Sequence, residues 1–218
     1  MKRTLEPEVM DTPENVLAYA RADFSEVNQK FVNDLIKKYS SHLKNVLDLG
    51  CGPADIPMRL ASLLPDVHIT AVDASRKMIE TAKERIAKAK LNNKISLLTG
   101  YVPGLPLQSH SFDTIISNSL LHHLPNPMAL WEEIIRLGKS GAAIFIMDLL
   151  RPGSPEKAKE IVEKYSPDEH PILKEDFYNS LLAAFSIDEV KDQLKDTNLL
   201  KLNTEIISDR HLLVSGVL

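Results

Sequence analysis

Val46-Leu47-Asp48-Leu49-Gly50-Cys51-Gly52-Pro53-Ala54-Asp55 leaves a short apolar strand, turns through two glycines and enters a helical pattern over Ile56 to Leu64. Open α/β sheets bind their ligands at such a turn. Glycine at 50 and 52 lets the backbone approach a ligand closely and take up angles that other residues resist. The dinucleotide fingerprint asks for a third glycine three residues after the second, and that position is Asp55. A carboxylate at a helix start opposes a pyrophosphate, which normally rests on those amides. The loop therefore suits a nucleoside without phosphates better than NAD. The plain structural alternative is a tight strand-to-helix turn with no ligand.

Strands and helices alternate outward from this point. His68 to Val72, Lys94 to Leu98, Phe112 to Ile116 and Ala143 to Met147 read as apolar strands, with helices over Lys77 to Ala89 and Pro127 to Leu137. That rhythm predicts right-handed βαβ crossovers and a parallel sheet covered on both faces. Before it, Thr12-Pro13-Glu14 is a helix start, and Val27, Phe31, Leu35 and Ile36 recur at helical spacing after Ser25. After Arg151-Pro152-Gly153 come a charged helix over Pro155 to Tyr165 and a helical stretch over Lys174 to Lys195, restarted by the capping box Ser186-Ile187-Asp188-Glu189. Leu199 to Ile207 and His211 to Leu218, joined by Ser208-Asp209-Arg210, predict an antiparallel hairpin. The expected fold class is α/β: a Rossmann-like seven-stranded, mostly parallel sheet with an antiparallel last strand, helices on both faces and an N-terminal helical extension over residues 1–44.

The 218 residues carry a net charge of -4, with 44% hydrophobic and 26% charged residues, as in a globular protein with one full core. The lack of a basic surplus argues against a nucleic-acid partner. One cysteine, Cys51, precludes an intramolecular disulfide. The first residues have no apolar signal region, and no apolar run approaches the roughly 18 residues of a membrane span. The expectation is a water-soluble, cytoplasmic protein with no membrane partner.

Asp73 follows the second strand about 20 residues beyond Gly52, the offset from which an acidic residue reaches ribose hydroxyls. A carboxylate accepts charge-assisted hydrogen bonds from both hydroxyls. An N-cap for the helix that begins near Ser75 is the alternative role.

With these residues in place, the chain resembles class I S-adenosylmethionine-dependent methyltransferases, especially the methyltransferase-domain group that includes the ubiquinone and menaquinone enzymes. Residues 46–54 look like motif I, with Ala54 in place of the usual third glycine. Ala71-Val72-Asp73-Ala74-Ser75 looks like motif II, and Ser111 to Asn118 followed by Leu121-His122-His123-Leu124-Pro125 looks like the fourth-strand motif. Residues 136–142 look like a degenerate pre-strand turn.

The resemblance implies S-adenosyl-L-methionine as cofactor and S-adenosyl-L-homocysteine as product. It places Asp48, Gly50, Cys51 and Gly52 toward the methionine part, Asp73 on the ribose, Ala74 and Met78 near the adenine, and Asn118 at the sulfonium. The family's usual acidic residue after the third strand is replaced in Gly100-Tyr101-Val102. Adenine would then rest on Tyr101 and the Val102 amide. Residues 45–218 would form the methyltransferase domain, with 1–44 as a lid and 151–198 as an acceptor-side insertion.

Methyl transfer to a hydroxyl or thiol needs alignment and a base. The candidates are His123 first, then His122, with Asp148 after the fifth strand; turn or capping roles are the bland reading of the histidines. Arg151, Asp23, Asn28, Asp209, Arg210 and His211 could also reach a pocket. Adjacent histidines should point in different directions, so no metal is implied. The expected function is methyl transfer to a small-molecule acceptor. The alternatives are a Rossmann-type NAD-dependent oxidoreductase and a catalytically inactive adenosyl-ligand-binding module.

Overall fold

A computed structural model of the chain describes residues 1–6 and 24–218. Its seven strands are β1 (Asn45–Leu49), β2 (His68–Asp73), β3 (Ile95–Thr99), β4 (Phe112–Asn118), β5 (Gly138–Leu149), β6 (Asn203–Ile206) and β7 (His211–Val217), in the order β3-β2-β1-β4-β5-β7-β6. The first five run parallel, and β7 lies antiparallel between β5 and β6. This is the expected Rossmann-like sheet. Chain order runs outward on one side through β2 and β3, then resumes on the other side with β4. The carboxyl ends of β1 and β4 therefore flank the switch point where such sheets open a crevice.

Among the described residues the helices are α1 (Ser25–Tyr39), α2 (Asp55–Leu63), α3 (Arg76–Lys88), α4 (Met128–Leu137), α5 (Pro155–Tyr165), α6 (Pro171–Ala183) and α7 (Ile187–Asp196). Side chains alternate across a strand, so each strand feeds two cores. On one face Val46, Ile69, Ile116 and Phe145 pack against Phe31 and Leu35 of α1, Leu60 of α2 and Ile86 of α3. On the other, Leu47, Ile115, Ile144 and Ile146 pack against Trp131 and Ile134 of α4 and Val190 of α7. The Trp131 indole is fully buried and donates to Gln193 Oε1 at 2.9 Å, so its one polar group is satisfied. Helices α5 and α6 form a smaller third cluster with Leu149, at the end of the sheet where β5 emerges.

Local sequence explains most boundaries. Ser75 and Ser154 cap α3 and α5, and Ser186 with Glu189 forms the full capping box of α7; each cap contributes about 1 kcal/mol. The helical stretch expected from Lys174 is restarted at the Ser186 capping box as read; His170-Pro171 starts α6 earlier, and Ala184 to Ser186 is extended between the two helices. Strand β5 begins at Gly138 rather than Ala143: residues expected to turn instead pair with β4 across an irregularity between Phe112 and Thr114. Conversely, β6 starts only at Asn203, since Leu199 and Leu202 close turns behind α7. The Thr12-Pro13 helix start and Asp23 lie outside the described residues.

Candidate functional site

The glycine turn is held by the neighbouring strand. Gly50 N and Cys51 N both donate to Val72 O at 2.9 Å, and Gly52 N donates to Asp73 Oδ2 at 2.8 Å. Gly50 has φ +76, and a Cβ there would lie 3.1 Å from Leu120 Cβ, so both angle and space select glycine. Ala54 also adopts a left-handed φ of 62, a position where a side chain is disfavoured by roughly 1–2 kcal/mol. The start of α2 is already filled: Asp55 pairs with Arg59 at 2.6 Å and Arg85 at 3.3 Å, and accepts from Asn28 Nδ2 at 3.0 Å. What opposes a pyrophosphate here is this occupied helix start, since two guanidinium groups offset the carboxylate charge.

Two cavities open at the switch point. The smaller, about 270 Å³, is lined by Asp48, Cys51, Arg59 and Asn118 among others. The larger, about 500 Å³, runs from Asp73, Ala74, Met78, Tyr101 and Val102 to His122 and His123. Gly50, Gly52, Asn28 and Asn118 line both. Through these shared residues the two are neighbouring arms of one crevice around the glycine turn.

In its inner arm, Asp48 is buried beside Asp73. Burial first, and that neighbouring charge second, push its carboxyl up to about 8. Asn118 Oδ1 is buried without a hydrogen-bond partner, while its Nδ2 donates to Asn28 Oδ1 at 3.3 Å. A buried carboxyl and an orphaned carbonyl are two acceptors facing a cavity, the kind of partners that an ammonium donor requires. Cys51 turns its thiol to the Gly52 carbonyl, and burial pushes that thiol up, so it serves as packing.

In the outer arm, Asp73 spends one oxygen on Gly52 N and the other on Ser75 N at 2.9 Å. The side-chain cap of α3 is Ser75, and Asp73 lines the larger cavity. Burial raises its carboxyl, and the backbone donors counter this. Tyr101 stands 70% exposed at the mouth, where a flat ring can stack, and Met78 is buried within.

The histidines sit on a single 3-10 turn, Leu121–His123, after β4. Their rings do not diverge as expected: the centroids are 4.0 Å apart with the planes tilted by 38°. His122 is fully buried and its Nδ1 donates to Asp148 Oδ1 at 2.7 Å. Burial opposes the imidazolium, but the Asp148 carboxylate outweighs it and holds the ring above its ordinary value. Asp148 also accepts from Leu121 N at 2.7 Å and Leu149 N at 2.8 Å. It lines neither cavity, so it orients His122 from behind. His123, more open to the cavity, pairs through Nδ1 with Glu6 of the N-terminal segment. Among the described residues, Glu6, His122 and His123 are the one group of three with ligand-type atoms within 4.8 Å of one another; both Nδ1 atoms and both Glu6 oxygens are already engaged in hydrogen bonds.

Other candidates divide. Arg210 and His211 line the larger cavity, with Arg210 3.3 Å above the Tyr165 ring. Burial and Arg210 press His211 down to about 4, leaving it a neutral ring. Arg151 turns away to Glu189 at 2.8 Å, and Asp209 pairs with Lys164 and Tyr165. Sequence reasoning did not single out Glu6, Phe177 or Ser180. No local motif marks them, because they meet the histidine turn only through tertiary packing.

A family model described as a methyltransferase domain matches residues 40–203, and the chain belongs to that family. The demethylmenaquinone methyltransferase of Listeria monocytogenes is 32% identical over 112 residues, 51% of this chain and 47% of its own length. The 27-O-demethylrifamycin SV methyltransferase of Amycolatopsis mediterranei is 25% identical over 163 residues, covering 75% of this chain and 56% of its own. The chain thus spans about half the length of the curated relatives it matches. The plantazolicin methyltransferase, solved with a triazolic desmethyl analog and S-adenosylhomocysteine, superposes with a TM-score of 0.71 at 14% identity, over 94% of this chain and 91% of that one. That likeness establishes a shared fold.

Proposed function

We propose that this protein is an S-adenosylmethionine-dependent methyltransferase acting on a small-molecule acceptor by in-line displacement. The observation that carries this reading is the continuity of the larger cavity, from the ribose-facing carboxylate of Asp73 past Gly52 and Asn118 to His122 and His123. The family membership and the names of the relatives, which act on a demethylmenaquinone, a demethylrifamycin and plantazolicin, support a small-molecule acceptor.

The residues present fit the cofactor. Asp48 and Asn118 Oδ1 would take its ammonium, the Gly50–Gly52 turn its chain, Asp73 its ribose, and Ala74, Met78, Tyr101 and Val102 its adenine. When bound it supplies an electrophilic methyl on a sulfonium and leaves as S-adenosyl-L-homocysteine. The chain's own part is to align the acceptor, for which orientation is worth roughly 7–11 kcal/mol, and to receive its proton. His123 is the base, because its Nδ1 is held by Glu6 and its other nitrogen is left to accept. His122, buried and held by Asp148, walls the same spot. Phe24 and Val27 at the start of α1 would bound the acceptor on one side; α5 and α6 contribute Tyr165, Leu173 and Phe177 to its cavity.

Calorimetric titration tests the cofactor assignment directly. S-adenosylmethionine and S-adenosylhomocysteine should bind at micromolar concentration, NAD should not, and Asp73→Ala should lose affinity. Binding of NAD alone would overturn the reading in favour of an oxidoreductase. Binding of the adenosyl ligands without methyl transfer to any acceptor in a broad hydroxyl, thiol and amine panel would leave the inactive-module alternative.

A further inference from the structure

We propose that Glu6, at the extreme N-terminal end of the described chain, is the positioning residue that fixes which nitrogen of His123 faces the acceptor, so that the N-terminal segment is part of the catalytic apparatus. This rests on the reading of His123 as the base.

Three observations carry it. First, the segment is anchored at the histidine turn itself. The Arg3 guanidinium donates to Ala183 O at 2.6 Å, His122 O at 2.8 Å and Leu124 O at 2.9 Å, and lies 3.9 Å over the Phe185 ring. The Thr4 amide adds a bond to Leu182 O at 3.0 Å. The two carbonyls held in the turn flank His123, so the contacts that seat the segment also seat that residue. Second, the Glu6 carboxylate is largely buried and fully used: one oxygen takes His123 Nδ1 and the other accepts from Ser180 Oγ. A bidentate hold of this kind leaves the carboxylate little freedom to leave the ring. Burial alone would push its carboxyl up, but the contact with His123 outweighs that and keeps it below its ordinary value. Third, the pair duplicates its neighbour. His122 and His123 each present Nδ1 to a carboxylate, Asp148 from the end of β5 and Glu6 from the N-terminal segment. The side chain of His122 is 2% exposed and that of His123 28%, so the Glu6 pair is the one open to the cavity.

A carboxylate on Nδ1 keeps the proton on that nitrogen, leaves Nε2 as the acceptor, and stabilises the imidazolium that forms when Nε2 takes the acceptor's proton. Glu6 touches no reacting atom. Its effect passes entirely through the ring of His123.

The test is nitrogen NMR of the full chain labelled with ¹⁵N-histidine and saturated with S-adenosylhomocysteine, at about pH 8.5, above the ordinary imidazole value. His123 is assigned by its loss in His123→Gln. The wild-type ring should carry its proton on Nδ1 with Nε2 bare. In Glu6→Gln the Ser180 hydroxyl holds the amide oxygen, the carboxamide NH2 faces Nδ1 as a donor, and the proton should move largely to Nε2. A wild-type ring protonated on Nε2, or a pattern unchanged in Glu6→Gln, would overturn the proposal. Should Glu6→Gln fail to fold, Glu6→Asp draws the carboxylate back by one methylene and should shift the ring toward a tautomer mixture; no shift counts against the proposal. With an acceptor in hand, Glu6→Gln should lower kcat at least about tenfold with KM for S-adenosylmethionine unchanged. A switched tautomer with undiminished kcat would instead sink the reading of His123 as the base, while leaving Glu6 as what orients it.

Discussion

The two arms of the crevice are built by different means. The arm proposed for the cofactor is built around backbone: Gly50, Cys51 and Gly52 hang on Val72 and Asp73 within one β-α-β unit, to which Tyr101 after β3 and Asn118 of β4 are added. The arm proposed for the acceptor is made of side chains that meet from remote places: His123, Ser180 and Arg210 line it, while Glu6 and Asp148 hold the two histidines. Backbone hydrogen bonds and glycine geometry leave few solutions, so that arm is written compactly in the sequence. Side-chain networks can be rewritten one residue at a time. This division suits an enzyme that keeps one methyl donor while its acceptor is chosen separately.

If the arms are independent, damage to one should spare the other. The largest effect expected is on turnover in His123→Gln, which should drop by about 10²–10⁴-fold, the usual worth of a general base. Affinity for S-adenosylhomocysteine, measured by calorimetry, should stay within about twofold of wild type. A matching loss of affinity would show the arms to be coupled.

Asp148→Ala comes next. It leaves the buried His122 ring and two backbone amides without their acceptor, and removing one partner of such a pair destabilises by about 3–5 kcal/mol. Urea denaturation would measure it. The pH dependence has a definite sign. The folded pKa of His122 is raised, so the pair's contribution is fully present below the ordinary imidazole value near 6.5 and is lost as pH rises through the folded value. The gap between wild type and variant should therefore narrow from pH 6 toward alkaline pH.

Asp73→Ala should weaken S-adenosylhomocysteine about a hundredfold, since hydrogen bonds to a charged group are worth about 1.5–3 kcal/mol. Turnover at saturating cofactor should suffer far less. A mutant that binds normally would return Asp73 to a purely structural role beneath Gly52 and Ser75.

The subtlest effect is on protons. Without a ligand the Asp48 carboxyl sits at about 8, because its charged form is buried beside Asp73. A bound ammonium favours that charged form, so binding should release protons between roughly pH 5 and 8, and affinity should climb with pH by up to about tenfold per unit. Calorimetry in buffers of different ionisation enthalpy would count the protons. Asp48→Asn should flatten the dependence, and a wild-type affinity that ignores pH would mean the ammonium binds elsewhere.

Much of this protein was legible from spacing. The glycine turn, Asp73 and the alternation of strands with helices are local signals, and the mostly parallel seven-stranded sheet with its closing hairpin follows from them. The histidines were found, but the role of Asp148 was legible only as a residue near the right edge; its place behind His122 depends on how the turn after β4 packs on β5. Arg151 shows the same difficulty in reverse, since its position beyond β5 was right and its side chain turns to Glu189.

The sequence by itself determined the α/β class, the hairpin that ends the sheet and the place of the glycine turn at the sheet's switch point, because backbone geometry and strand and helix periods act over a few residues. Only the tertiary structure decided that two adjacent histidines stack, that each is held by its own carboxylate, and that one of those comes from position 6. Such contacts join residues 117 positions apart, and nothing local in a chain records which distant side chain its folding will bring within a hydrogen bond.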